Sequence, residues 1–184
     1  ARGAGGAAVT GGGTGPQAWG VNWGGATVFA GLVNVASLAT DAGGTSSSVG
    51  VTTTGTTPFG EATTLSGTYT NTGFTASNTT TLAGATTVNS GAGATTFTGT
   101  VTGEQGLAVN SSGGPASYGY VNGASLATDA GGTSCSWRVT TRGTTPLAYD
   151  HKLTVKTTKT RLTADSEPTP YAAATTDSRA TART

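Results

Sequence analysis

The chain has 184 residues, of which 42 are Thr and 31 are Gly, and only 9% are charged. A net charge of +1 gives no global field for nucleic acid or an acidic surface, and so little charge argues against a self-repelling disordered chain. Ile and Met are absent, whereas the abundant β-branched Thr and Val suit a pleated surface and Gly and Asn suit turns. Strands and tight turns are expected, and long helices are not.

Residues 1–14 are rich in Gly and Ala, with little to fix a strand register. From Ala36 to Pro58 the chain carries a stretch that returns 88 residues later as Ala124 to Pro146, with 19 of 23 positions identical. The offset also pairs Val21-Asn22 with Val109-Asn110, and Val33-Asn34 with Val121-Asn122. A chain that copies itself at a fixed period is a repeat architecture. The division expected is a first unit over 1–94 and a second over 95–184, with no Pro-rich or charged linker at the seam.

A shorter rhythm runs inside each unit. Thr63-Thr64-Leu65-Ser66-Gly67, Thr80-Thr81-Leu82-Ala83-Gly84 and Thr95-Thr96-Phe97-Thr98-Gly99 share one pattern, a strand of four or five residues closed by a turn signal. Phe97 to Thr102 alternates apolar and polar positions, as a strand with one buried face does. Such strands leave no room for crossover helices, and the fold class expected is all-β, a parallel β-solenoid of about eight short coils. Four coils of roughly 22 residues would fill each unit and give a rod about 40 Å long. Its thin core would hold stacked Val, Leu, Ala and Thr, with space for few aromatics. The alternative is two β-sandwich domains, which need more large apolar residues than this chain supplies.

Leu38-Ala39-Thr40-Asp41-Ala42-Gly43-Gly44-Thr45 and Val51-Thr52-Thr53-Thr54-Gly55 resemble the long repeats of giant bacterial surface proteins of the filamentous-haemagglutinin and autotransporter-adhesin type. Thr95 to Gly103 and Leu107 to Asn110 look like other parts of the same unit, so the resemblance covers about residues 30–147. It implies a secreted parallel β-solenoid, structural or adhesive, at the cell surface. The chain departs from those repeats at Ser46 to Gly50, where they carry an Ile-Asn-Gly-Gly segment, and after about Leu153.

Candidate chemistry is sparse. Asp41 and Asp129 each precede Ala-Gly-Gly, but a calcium-binding β-roll needs a far denser Gly/Asp repeat, so both are read as turn formers and no metal is expected. Asp150-His151-Lys152 holds the single His and is read as a polar turn; a catalytic role would need Ser134 or Cys135 as partner. Cys135 is the only cysteine, so no internal disulfide forms, and it aligns with Ser47. Basic residues gather late, from Arg138 onward with Arg2 the exception, as a solvated end or a patch for anionic glycan or a neighbouring subunit. A recognition patch would draw on Trp137, Arg138, Arg142, His151 and Lys152, where the second copy departs from the first or adds charge. Asn78 and Asn110 fit the N-glycosylation pattern. Thr rows such as Thr52-Thr53-Thr54 suggest an ice-binding face, but their spacing is irregular.

No apolar run approaches the roughly 18 residues of a membrane helix, so membrane insertion is not expected. No secretory signal is visible, and the start at Ala1 fits a processed product or a piece of a longer protein. The function expected is a non-catalytic segment of an extracellular filament, stalk or adhesin shaft that associates with itself and needs no cofactor. The alternative is a module binding surface glycans or, less favourably, ice.

Overall fold

The computed structural model describes residues 13–129, 131–143, 145–147, 151–153, 158–159, 162–164 and 180–182. Among them there is no helix, and every strand pairing is parallel. The chain winds as a β-solenoid of about seven turns, which excludes the two antiparallel sandwiches. Each turn lays one short strand on each of three faces.

Face I stacks Ala26–Phe29, Thr45–Ser48, the first half of Ala62–Thr70, the first half of Thr80–Asn89, and Val101–Gly103. It continues into the second halves of Ala116–Gly123 and Ser134–Thr141. Face II stacks Val33–Val35, Val51–Thr53, the second halves of Ala62–Thr70 and Thr80–Asn89, then Gly106–Asn110 and Ser125–Thr128. Face III carries Ala18–Val21 and Ser37–Thr40 at its start. It goes on through Thr57–Phe59, Phe74–Ala76, Thr95–Phe97 and the first halves of Ala116–Gly123 and Ser134–Thr141.

A turn takes between 17 residues, as from Thr45 to Ala62, and 21, as from Thr80 to Val101. It is therefore shorter than the 22 residues expected, because three- and four-residue strands meet at corners of very few residues. Ala36 alone separates Val33–Val35 from Ser37–Thr40. Seven turns at the spacing of hydrogen-bonded strands make a rod of about 34 Å.

The interior follows from strict alternation. In Val33–Val35 both Val side chains are buried and Asn34 faces solvent, and Val51–Thr53 repeats that pattern one turn on. The core then departs from the expectation of few aromatics. Phe59, Phe74, Phe97 and Tyr118 run up the inside of face III, with Tyr69 against them from face II. Ala76 stands in register between Phe59 and Phe97. Its small side chain leaves space that Phe74 fills from the neighbouring column, at 5.8 Å from Phe59 and 5.3 Å from Phe97. Phe97 and Tyr118 stack at 5.9 Å and 11°. Aromatics fit the narrow rod because face III places one ring per turn, and Tyr69 meets Phe59 and Phe74 edge-on from face II.

Hydroxyls close the corners. Thr53 Oγ1 meets Thr57 Oγ1 at 3.0 Å, and the matching pair in the second copy, Thr141 and Thr145, meets at 2.7 Å. The Thr rows are split by the pleat: Thr53 points inward and Thr52 outward.

The two copies of the repeat do not lie one above the other. Ser37–Thr40 lies on face III, and its copy Ser125–Thr128 lies on face II. Val51–Thr53 lies on face II, and its copy Val139 to Thr141 lies on face I. At roughly 19 residues per turn, 88 residues make about 4.7 turns, one face short of five. Identical sequence thus builds two different faces of the same triangular section.

Candidate functional site

Among the described residues four large apolar side chains stay exposed: Leu32 at 72%, Val49 at 42%, Tyr120 at 50% and Trp137 at 56%. They are two positions of the repeat seen twice, since Tyr120 and Trp137 stand 88 residues after Leu32 and Val49. Leu32 and Val49 occupy the corner between faces I and II on successive turns. Tyr120 and Trp137 occupy the corner between faces III and I, also on successive turns. The repeat therefore places one apolar ridge per unit, aliphatic in the first and aromatic in the second.

Around the second ridge the chain adds a cation. Arg138 stands in register with Tyr120, and both side chains are exposed. They line a shallow groove of about 320 Å³ together with Thr100, Val121, Asn122 and Thr140. Among the described residues Arg138 makes no ion pair. Hydroxyl, amide, guanidinium and an aromatic face together suit a polar ring-shaped ligand.

The expected patch is brought together only in part. Trp137 and Arg138 are adjacent, but Arg142 lies past the next corner, where it reaches across the intervening turn to pair with Glu104, two turns before it. That pairing holds the Glu104 carboxyl below its ordinary range, through the hydrogen bond first and the charge second. The strand His151–Leu153 brings His151 opposite Ser134 and Lys152 opposite Cys135 along the backbone. Both of those side chains, and Asp150, lie outside the described residues. Tyr120 was missed as a site residue, and its alignment with the apolar Leu32 was the available signal.

Asp41 and Asp129 act between turns instead of within their own. Asp41 Oδ1 accepts the Trp23 amide at 3.3 Å, and Asp129 Oδ2 accepts the Ser112 amide at 2.8 Å, each from the preceding turn. Gly44 and Gly132 follow at φ of 88° and 75°, the left-handed conformation the repeated Gly-Gly supplies. Asn78 is exposed and its Oδ1 accepts the Thr79 amide, while Thr80 of the same acceptor pattern is fully buried. Asn110 is exposed, and its amide donates to Asn89 Oδ1 at 2.7 Å.

A second polar cluster is hidden. Glu61 begins the turn above Asp41 and is 1% exposed, and neither carboxylate oxygen has a hydrogen-bond partner. Burial first, and the Asp41 charge after it, push its carboxyl above the ordinary range against the lowering effect of nearby Ser46 and Thr40 hydroxyls.

Comparison of the chain with protein-family models, with curated proteins and with solved structures gives no match. Among the described residues no helix is long and apolar enough to cross a membrane, and no three His, Cys, Asp or Glu side chains cluster.

Proposed function

We propose that this chain is a non-catalytic structural segment of an extracellular filament, stalk or adhesin shaft, and that it associates with copies of itself. One observation carries the reading: the same repeated segment, returning 88 residues later, is accepted on a different face of one continuous rod. Ladders run across the seam, from Phe74 to Thr95 and on to Ala116, so one unit continues into the next with no joint. A section that accepts its own repeat in this way can be lengthened without redesign. Parallel backbone ladders along the rod distribute load, and open end strands recruit further strands. The likeness of Leu38 to Thr45 and Val51 to Gly55 to filamentous-haemagglutinin and adhesin repeats supports the surface assignment. Sedimentation velocity over a concentration series tests the association. Species that grow with concentration are expected, and a monodisperse monomer throughout contradicts it.

A second reading, a carbohydrate-binding shaft, is favoured by the exposed Tyr120 and Arg138 that line the groove and by the exposed Trp137 next to Arg138 in the chain. Aromatic faces stack on sugar rings, and a free guanidinium selects a carboxylated or sulfated one. Binding to an array of acidic glycans should fall at least about tenfold in Trp137→Ala and Arg138→Ala, the scale of losing one or two kcal/mol of contact. Binding that both variants retain removes this reading.

A further inference from the structure

Between residues 3 and 103 the chain has two charged side chains, Asp41 and Glu61, both acidic. The fold brings them to one corner, between faces III and I, on successive turns. A carboxylate taken from water is costly unless a partner compensates it, and for Glu61 neither oxygen has one. No Lys, Arg or His in that span can serve as counter-ion. The second copy differs here, since Tyr149 takes the place of Glu61.

We propose that the Asp41–Glu61 corner is a binding site for a calcium ion. Both carboxylates supply oxygen and charge, and the hydroxyls of Ser46 and Thr40 lie beside Glu61. The carbonyl oxygens of Thr40 and Asp41 stand so close to Gly60 that a side chain there would run into them. The corner therefore offers carboxylate, hydroxyl and carbonyl oxygens, and no nitrogen or sulfur ligand. An all-oxygen set suits a hard cation, and calcium, which accepts flexible coordination, fits a ready-made protein site better than magnesium, which demands a near-ideal octahedron. The turn-level repeat does not betray this site, because the second carboxylate lies outside the repeated Asp-Ala-Gly-Gly segment. Two further buried hydroxyls without partners, Thr27 Oγ1 and Thr80 Oγ1, lie in the same inward column as Ser46 and Thr63.

Trp23 supplies the probe, because its backbone amide is bonded to Asp41 Oδ1. Terbium, a calcium stand-in, added to the full chain should give saturable luminescence on tryptophan excitation, displaced by calcium and not by equimolar magnesium. Calcium at about 100 times its Kd should raise Tm by about 5–10 °C. Glu61→Gln and Asp41→Asn should each abolish the displaceable emission and the thermal shift. Trp23→Phe should lose most of the emission and keep the shift. If Glu61→Gln fails to fold, Asp41→Asn carries the comparison. The proposal is overturned by a wild-type Tm indifferent to about 10 mM calcium, well above the Kd of weak extracellular calcium modules. It is equally overturned if the displaceable emission survives in both carboxylate variants.

Discussion

Two buried tyrosines show how much one hydroxyl's surroundings decide. Tyr69 donates to the Ser48 carbonyl at 2.9 Å and lies 2.8 Å from Ser48 Oγ, and burial pushes its hydroxyl up to about 12. Tyr118 is as buried, yet its hydroxyl has no partner, and burial also raises its pKa. Tyr69→Phe should cost about 1–2 kcal/mol in urea denaturation, while Tyr118→Phe should be neutral or stabilising. Nothing in the sequence separates the two. Each sits in a Thr- or Ser-bordered strand, and only the turn stacked against it supplies or withholds an acceptor. Glu61 gives a pH dependence by the same logic. Its carboxyl is raised above the ordinary value of 4.5, so the folded chain holds that proton more tightly than the unfolded chain. In chelator, the stability it contributes is complete below that value and is lost as pH rises through the raised one. Glu61→Gln should flatten that fall in denaturation curves collected from pH 4 to 7.

At the scale of the strand and its corner, the repeat made the turn chemistry legible and concealed the register. Asp41-Ala42-Gly43-Gly44 announces a corner, and Gly44 adopts a positive φ there with the Gly25 carbonyl directly beneath. Gly44→Ala should therefore cost about 1–3 kcal/mol, whereas Gly20→Ala, with open space around its Cα, should be near neutral. Thermal melts of the two variants make the comparison. Turn length was not legible, because corners range from the single Ala36 to the five residues between Thr80–Asn89 and Thr95–Phe97. The aromatic interior was hidden for a related reason. Phe74 and Ala76 look like ordinary alternation until register shows Ala76 held between Phe59 and Phe97. Truncation there should be expensive, and Phe74→Ala is expected to lose about 3–5 kcal/mol.

For the whole molecule, the offset of one face between copies has a geometric consequence. If further copies followed, the exposed ridge of Leu32 and Val49, or Tyr120 and Trp137, would advance around the rod, unit by unit, and never form a straight stripe. Ridges on successive corners leave no single apolar side for lateral sheet formation, so growth along the axis is the favoured mode. The parallel solenoid was legible because a Thr/Val strand rhythm with Gly corners and no helical pattern has few other solutions. The groove was half legible: Trp137 and Arg138 stand out as departures from Val49 and Gly50, but Tyr120 joins them only through stacking. The central claim, an axially growing solenoid shaft, is tested most directly by fibre diffraction and imaging of concentrated protein. A reflection near 4.8 Å along the fibre axis, from filaments far longer than the roughly 34 Å of seven turns, is the result expected. Isolated short particles at every concentration, or strand spacing directed across the fibre, would contradict it.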